Sequence, residues 1–204
     1  AAKGVRKAGA KRRFAAQPFC FAEYVLAQRG ERNTVISAAE TDSFYALRGD
    51  IGKFYAAASL AGVCDALLYD GMVSEELFLR AVNALRGMCD GDEAEELISF
   101  LLAALELSGY RLDLSGCAGC GALLAGKCFF DVADGCFYCA DCARGAGVSA
   151  ETLEVLKKCA GEEFDPAKVT REGKRRAVKL LYAFFRAKTE TEVKALAEYI
   201  ALPQ

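Results

Sequence analysis

The feature that most constrains this chain is a cluster of cysteines near its middle. Six of its ten cysteines fall within 26 residues, in the stretch CAGCGALLAGKCFFDVADGCFYCADC at 117–142. The stretch begins and ends with Cys-x2-Cys pairs, and eighteen residues separate the two pairs. This spacing is typical of zinc sites with four cysteine ligands, because four thiolates satisfy the tetrahedral coordination of Zn²⁺. The sequence therefore predicts one structural Zn²⁺ per chain with the ligands Cys117, Cys120, Cys139 and Cys142.

The second pair of ligands has an alternative, because Cys136 forms another Cys-x2-Cys pair with Cys139. We favour Cys139 and Cys142, since the Ala-Asp between them is small and polar and suits a tight turn. The side chains of Phe137 and Tyr138, which lie within the alternative pair, would crowd such a turn. The sequence leaves Cys136 as an alternative ligand.

Two neighbouring residues suit the geometry of such a site. Gly121 follows the first pair directly and permits the positive φ with which a backbone folds back toward a metal-bound sulfur. Asp141 is placed to begin a short helix after the second pair. We interpret the cysteines outside the predicted ligand set as small buried side chains; they are Cys20, Cys64, Cys89, Cys128, Cys136 and Cys159.

Other chemistries are less well supported by this stretch. GALLAGKC at 121–128 is similar to a phosphate-binding P-loop, but Cys128 stands where that motif needs a Ser or Thr hydroxyl. A redox-active site would need one pair at the start of a helix in a β-α-β unit. The chain contains no histidine, which excludes nucleophile systems built on a His base. Because a four-thiolate zinc has no open position for water, we expect no enzymatic activity.

The start of the sequence is basic and lacks the apolar region of a secretory signal peptide. The longest apolar run, LISFLLAAL at 97–105, is about half of the roughly 20 residues that a membrane span needs. We therefore expect a cytoplasmic protein without membrane contact. In that compartment thiols stay reduced, and clustered cysteines are metal ligands more often than disulfides.

The remaining sequence predicts a short β segment followed by helices. Extended segments are expected at 18–28 and 32–37, and the apolar spacing at 42–109 is helical, with a start at Ser74 and a stop at Gly109.

Three signals place helices after the cysteine cluster. Ser149 is expected to cap one helix, Pro166 suits a first helical turn, and Thr-Glu-Thr-Glu at 189–192 forms a capping box for the last helix.

Charge is segregated along the chain. Residues 1–14 carry six basic residues and no acid, 65–108 carry ten acids and two arginines, and 166–194 carry nine basic residues and three acids. Such segregation predicts an electrostatic field with separate positive and negative poles, in which the positive poles attract the phosphate backbones of nucleic acids. The alternative is a solvated tail and one exposed basic helix face. Three phenylalanines beside the first basic run either stack on bases or belong to the core, and we expect at most one to stack; they are Phe14, Phe19 and Phe21.

The sequence also resembles the RecO family of bacterial recombination mediators over almost its whole length. The resemblance is carried by TDSFYALRGDIGKFYAAASLAG at 41–62, EELFLRAVNALRGM at 75–88, LISFLLAALELSGYRLDLSGCAGCG at 97–121, DGCFYCADCA at 134–143, SAETLEVLKK at 149–158 and the basic opening AAKGVRKAGAKRRFAAQPF. It is weakest at the C-terminal end. The second glycine of the family's motif before the last cysteine pair is Cys136 here, which supports Cys136 as a bystander.

The resemblance implies an α+β, mostly α fold: a helical bundle with an inserted four-Cys zinc module and a partial N-terminal OB-fold (β) segment. Strands of the family's OB fold would precede residue 1. The implied organisation is 1–40 as the basic C-terminal part of an OB fold, 41–109 as the first part of the helical domain, 110–148 as the zinc-binding module and 149–204 as the second part of the helical domain.

The activities implied by the resemblance belong to DNA repair, and the implied location is the cytoplasm, in association with the nucleoid. They are binding of single- and double-stranded DNA, annealing of complementary strands, and help, with RecR, in loading RecA onto strands coated by single-stranded DNA-binding protein (SSB). The expected DNA-binding residues are Lys3, Arg6, Lys7, Lys11, Arg12 and Arg13, with a secondary surface of Lys174, Arg175, Arg176 and Lys179. The alternative function is a zinc-stabilised protein–protein adaptor without DNA-binding activity.

Overall fold

The computed structural model describes residues 14–30, 32–68 and 72–203 and shows an α+β fold that is mostly helical, as expected. The strands are β1 (Phe21–Arg29), β2 (Arg32–Asp42), β3 (Cys128–Asp131), β4 (Cys136–Tyr138) and β5 (Ala146–Val148). The helices are α1 (Ile51–Leu67), α2 (Glu75–Asp90), α3 (Glu93–Leu107), α4 (Ala150–Ala160), α5 (Arg171–Thr189) and α6 (Lys194–Ala201). Short 3-10 helices lie at Phe14–Ala16, Tyr45–Arg48 and Pro166–Lys168. The domain boundaries and the OB-fold assignment of 1–40 remain predictions.

Strands β1 and β2 form an antiparallel hairpin near the start of the described chain. Its register is irregular between Val25 and Leu26, where a bulge interrupts the pairing. The start of β1 and the residues before it reach the bundle through two aromatic contacts. The ring centres of Phe19 and Phe54 are 5.4 Å apart, and those of Phe21 and Phe78 are 5.8 Å apart. Two of the three aromatic residues considered for base stacking thus pack on helix side chains.

Side-chain caps fix several of the helix starts. The Ser74 hydroxyl accepts a hydrogen bond from the Leu77 amide at the start of α2, and the Ser149 hydroxyl accepts one from the Thr152 amide at the start of α4. Both predicted caps are confirmed, because each satisfies an amide that the first helical turn leaves free. Gly109 follows the end of α3 with a φ of 84°, a conformation that suits glycine after a helix.

The capping box predicted at 189–192 is wrong. Thr189 is the last residue of α5, and its hydroxyl donates to the Phe185 carbonyl at 2.9 Å and accepts from the Thr191 amide at 3.3 Å. Helix α6 starts after Val193 without a side-chain cap. The Thr189 side chain therefore makes its hydrogen bonds at the end of α5. The Thr-Glu-Thr-Glu pattern ends before the first residue of α6 and does not cap that helix.

Two other helix signals mark shorter structures than expected. Pro166 lies at the start of a 3-10 helix that Asp165 caps, while α5 begins separately after its own cap, Thr170. Asp141 lies in a turn, and no helix follows the second cysteine pair before α4. Both are local signals for a turn, and the chain beyond them does not extend that turn into a helix.

Helix α3 lies at the centre of the bundle and packs against α1, α2, α4 and α5, while α6 packs against α1. Its inward face is fully apolar, and its most buried side chains are Leu97, Ile98, Leu101 and Leu105. Burial of each of these side chains contributes about 1.5 to 3 kcal/mol to folding. Among the described residues, no helix combines the length and apolar composition that crossing a bilayer requires.

The acidic and basic segments meet across the interface between α3 and α5. The ammonium group of Lys174 lies 2.7 Å from carboxylate oxygens of both Asp92 and Glu95, and that of Lys158 lies 2.6 Å from Glu95. These pairs are partly buried and link three helices. The charges that are separated along the sequence therefore partly neutralise one another in the fold, and the expectation of distinct poles does not hold at this interface.

These ion pairs also set the pKa values of the two carboxylates. Partial burial would raise the pKa of Glu95, but hydrogen bonds from Lys158 and Lys174 outweigh burial and hold it below its usual value. Burial would also raise the pKa of Asp92, but the contact with Lys174 and hydrogen bonds from the Glu95 and Ala94 amides together outweigh burial and lower it. At a pH above its unfolded-state pKa, a carboxylate with a lowered pKa stabilises the folded protein. This stabilisation is lost as the pH falls through the folded-state pKa.

We expect Lys174→Met to lower the free energy of unfolding by roughly 1 to 2 kcal/mol near pH 7, between the values for exposed and buried pairs. The difference from the unsubstituted protein should be smaller at about pH 3, which lies below the unfolded-state pKa values of both carboxylates, and should shrink further as the pH falls through their lowered folded-state values. Urea unfolding followed by circular dichroism at both pH values measures this. Lys179→Met is the matched control, because Lys179 is exposed on the same helix. Equal losses in both variants would contradict the role of these pairs.

Candidate metal centre

The four predicted ligands come from two turns beside a small sheet. Strand β3 lies between β4 and β5, and all neighbours are antiparallel. The pair Cys117 and Cys120 precedes this sheet, and the pair Cys139 and Cys142 follows β4. The Ala118 amide donates to the Phe137 carbonyl at 2.9 Å and so ties the first turn to β4. This contact brings two turns that are distant in sequence to one place.

The turn that carries Cys117 and Cys120 has the positive φ that was predicted at Gly121. Gly121 has a φ of 73°, and its amide donates to the Cys117 carbonyl at 2.8 Å. The Cys117 amide in turn donates to the Ala122 carbonyl at 2.8 Å. The resulting loop directs the sulfurs of Cys117 and Cys120 to the same side.

The structure brings the sulfur atoms of Cys117, Cys120, Cys139 and Cys142 within 4.8 Å of one another. The sulfurs of Cys120 and Cys139 are 3.7 Å apart. Four sulfurs bound to Zn²⁺ at about 2.3 Å in a tetrahedron would lie about 3.8 Å apart. The group is therefore the right size for a metal ion with four thiolate ligands, and its donors suit a soft or borderline cation.

The protein backbone already favours a thiolate within this group. The Cys139 amide donates to the Cys117 sulfur at 3.2 Å, and this hydrogen bond is the main cause that lowers the pKa of Cys117 to about 6. Hydrogen bonds with the sulfurs of Cys120, Cys139 and Cys117 raise the pKa of Cys142 to about 12. These hydrogen bonds thus favour a thiolate at Cys117 and a protonated thiol at Cys142, so a bound cation would displace the proton of Cys142.

The remaining cysteines near the site point elsewhere. The Cys136 sulfur lies 3.6 Å from the Asp134 carbonyl, and Cys136 does not belong to the group of converging sulfurs. Cys128 is 1% exposed in the core, where burial raises its pKa to about 11. Cys128 also begins strand β3, so the P-loop-like segment 121–128 leads into a strand and not into the helix that a P-loop requires.

Aromatic contacts attach the cysteine-bearing segment to the bundle. The Phe130 ring lies 4.8 Å from that of Phe137 and 5.6 Å from that of Phe184 on α5, measured between ring centres. Gly135 has a φ of 72°, and a Cβ there would lie 2.6 Å from the Phe184 ring. The Lys188 ammonium donates to the Ala133 carbonyl at 2.6 Å. The β3–β4 turn therefore rests directly on α5.

An arginine closes the other side of the same turn. The Arg144 guanidinium lies 2.6 Å from Asp131 and 3.1 Å from Asp134, two residues after the second cysteine pair. A Cβ at Gly145 would collide with the Phe130 carbonyl, so only glycine fits this close approach. These contacts fix the exit from Cys142 against β3.

The proposed DNA-binding residues fall into two groups. The first six, Lys3 to Arg13, lie outside the described residues. In the second group, Lys174 is held by Asp92 and Glu95, and the Arg175 guanidinium donates two hydrogen bonds to Glu172 at 2.7 and 2.8 Å.

The other two cations of the second group differ in their surroundings. Arg176 contacts Glu172 at 3.0 Å and Glu151 at 3.4 Å, whereas Lys179 is exposed and has no ion pair within the described part of the chain. The sequence could not show the contacts with Asp92 and Glu151, because these acids come from other elements of the fold. The pairs with Glu172 are local, since Glu172 lies three and four residues before the two arginines.

Comparison with known proteins identifies the family. The model described as "Recombination protein O C terminal" matches residues 48–197. The chain belongs to the RecO family. It is 35% identical over 162 residues to DNA repair protein RecO of Desulforamulus reducens, covering 76% of this chain and 63% of that protein. It is 32% identical over 160 residues to the protein of the same name from Pelotomaculum thermopropionicum, covering 76% and 62%. The chain thus spans about three fifths of the length of these RecO relatives.

We expect Gly119→Ala to weaken metal binding by roughly tenfold, the lower range for residues that support ligands. A Cβ at this position would lie 3.0 Å from both Cβ and Sγ of Cys142, so the second turn must move. Competition with a chromophoric chelator measures the affinity. Gly147→Ala is the control, because its Cβ would meet only the Lys127 side chain at 3.5 Å. Equal affinities of the two variants would show that this contact does not position Cys142.

Proposed function

We propose that this protein is a DNA-binding recombination mediator in DNA repair and not an enzyme. In this proposal it binds single- and double-stranded DNA, anneals complementary strands, and helps RecR to load RecA onto SSB-coated strands. It acts in the cytoplasm, in association with the nucleoid. The observation that carries the proposal is the RecO family match over residues 48–197. Relatives of the same family are named DNA repair proteins.

We propose that Zn²⁺ is the metal of the four-cysteine group, with one ion per chain. Support comes from the donor set, since four thiolates in a group of this size are typical of structural zinc. When bound, the ion would supply the positive charge that lets all four thiols ionise. With four protein ligands it would have no open position for water, so its role is to hold the two turns together.

The primary DNA contact in this proposal is the basic run Lys3, Arg6, Lys7, Lys11, Arg12 and Arg13. The α5 cluster should contribute less, because three of its four cations already face carboxylates. Hydrogen bonds from Arg175 lower the pKa of Glu172 to about 2, so Glu172 stays charged and competes with phosphate for both neighbouring arginines. Of this cluster, Lys179 is the residue best placed to contact a phosphate.

We expect serine at any one of the four proposed ligands to release zinc, because metal binding and local folding are coupled at such sites. Metal analysis of the purified variants tests the ligand assignment, and hydrogen exchange should show loosening of 110–148. The controls are Cys128→Ser and Cys136→Ser, which should both keep one zinc per chain. A variant set in which Cys136→Ser loses zinc and Cys142→Ser keeps it would overturn the assignment.

We expect the combined change of Lys3, Arg6 and Lys7 to Ala to weaken DNA binding for all sequences alike. Phosphate contacts make log affinity fall against log salt by roughly 0.7 to 0.9 per neutralised phosphate, so loss of three cations should flatten the slope by about two to three units. Fluorescence anisotropy with a labelled oligonucleotide across a salt series measures both quantities.

The matched control for this DNA experiment removes three exposed cations elsewhere, at Lys127, Lys168 and Lys194. It should change affinity and slope less than the N-terminal variant does. Zinc content should stay the same in both triple variants. A DNA affinity that does not depend on salt concentration, or that is unchanged when the N-terminal cations are removed, would favour the protein–protein adaptor instead.

A further inference from the structure

The four clustered cysteines differ in how far each is accessible. Cys120 is exposed, whereas Cys117 is 3% exposed and its sulfur also accepts the Cys139 amide. The sulfurs of Cys120 and Cys139 are 3.7 Å apart and belong to different Cys-x2-Cys pairs. An oxidant arriving from solvent therefore meets Cys120 first, with a second sulfur from the opposite turn beside it.

We propose that this group is a peroxide-sensitive switch in which Cys120 is oxidised first and Cys139 then forms a disulfide with it. The inference rests on the proposed metal site and adds a means of regulating it. The disulfide would join the two turns covalently in place of the metal.

The chemistry needs hydrogen peroxide as the oxidant. The Cys120 thiolate attacks one peroxide oxygen, the O–O bond breaks, and a sulfenic acid and hydroxide form. The Cys139 thiolate then attacks the Cys120 sulfur and displaces hydroxide as the S–S bond forms. Two protons convert both hydroxides to water. The two sulfurs together lose two electrons, and the peroxide is reduced to two waters.

The movement required is small, and its effect on the metal is large. The two sulfurs must approach from 3.7 Å to about 2.0 Å, the length of a disulfide bond. Only Cys117 and Cys142 would remain as thiolate ligands, which is too few for a tight structural zinc. Metal release would then loosen the turns that hold β3 and β4, and with them the contact between Phe130 and Phe184 on α5.

The environment of the other cysteines makes the reaction selective. Burial raises the pKa values of Cys64, Cys128 and Cys159 to about 11, so these thiols stay protonated near neutral pH. Burial is also the main cause that raises the pKa of Cys136. Because the thiolate is the species that reacts with peroxide, and a bound metal would keep its four cysteine ligands as thiolates, oxidation should concentrate in the four-cysteine group.

The test uses the full chain with its metal, treated with hydrogen peroxide in slight molar excess. A chromophoric zinc chelator follows metal release, and peptide mapping without reductant identifies the linkage. We expect one disulfide per metal released, with Cys120 joined to Cys139, and recovery after dithiothreitol and added Zn²⁺. The control Cys136→Ser should release metal within twofold of the unsubstituted rate.

The results against the switch are equally specific. Retention of metal while buried thiols are oxidised would overturn it, as would a linkage through Cys136 or oxidation of Cys120 to a sulfonic acid without a disulfide. Protein that contains no zinc before treatment would count against the metal proposal. In that case the mapped linkage in the same sample still decides whether Cys120 and Cys139 form a peroxide-sensitive pair.

Discussion

Residues 110–148 depend on the convergence of four cysteine sulfurs from two separate turns. The sulfurs lie within 4.8 Å of one another, a distance at which four thiolates would repel strongly unless a cation lay among them. The surrounding sheet is too small to hold these turns by itself, since β4 and β5 each contain three residues. The metal proposed here would supply the stability that so few strands cannot provide.

Helix α5 connects this site to the rest of the molecule. Its Phe184 packs on the Phe130 ring, its Lys188 holds the β3–β4 turn, and its Lys174 pairs with acids of α3. The same helix also packs against α4 and α6. A change at the cysteine group therefore reaches the bundle through a specific helix, and three basic residues of that helix contact other parts of the fold: Lys174, Arg176 and Lys188.

The sequence predicted the features that depend on residues close together in the chain. The cysteine spacing, the positive φ of Gly121 and the caps at Ser74 and Ser149 are local, and the structure shows each of these turns and caps. Features that depend on tertiary packing were not predictable. Thr189 completed α5 instead of starting α6, and Lys174 met acids from a helix about eighty residues earlier.

The central claim is that metal binding at the four cysteines maintains the structure of residues 110–148 and their contact with α5. Hydrogen exchange with mass spectrometry, on the metal-bound chain and on the same chain after chelation, tests it most directly. The account predicts loss of protection across 110–148 and in the part of α5 around Phe184, while α1 and α2 keep theirs. Unchanged protection of 110–148 in protein verified to be free of metal would contradict the claim.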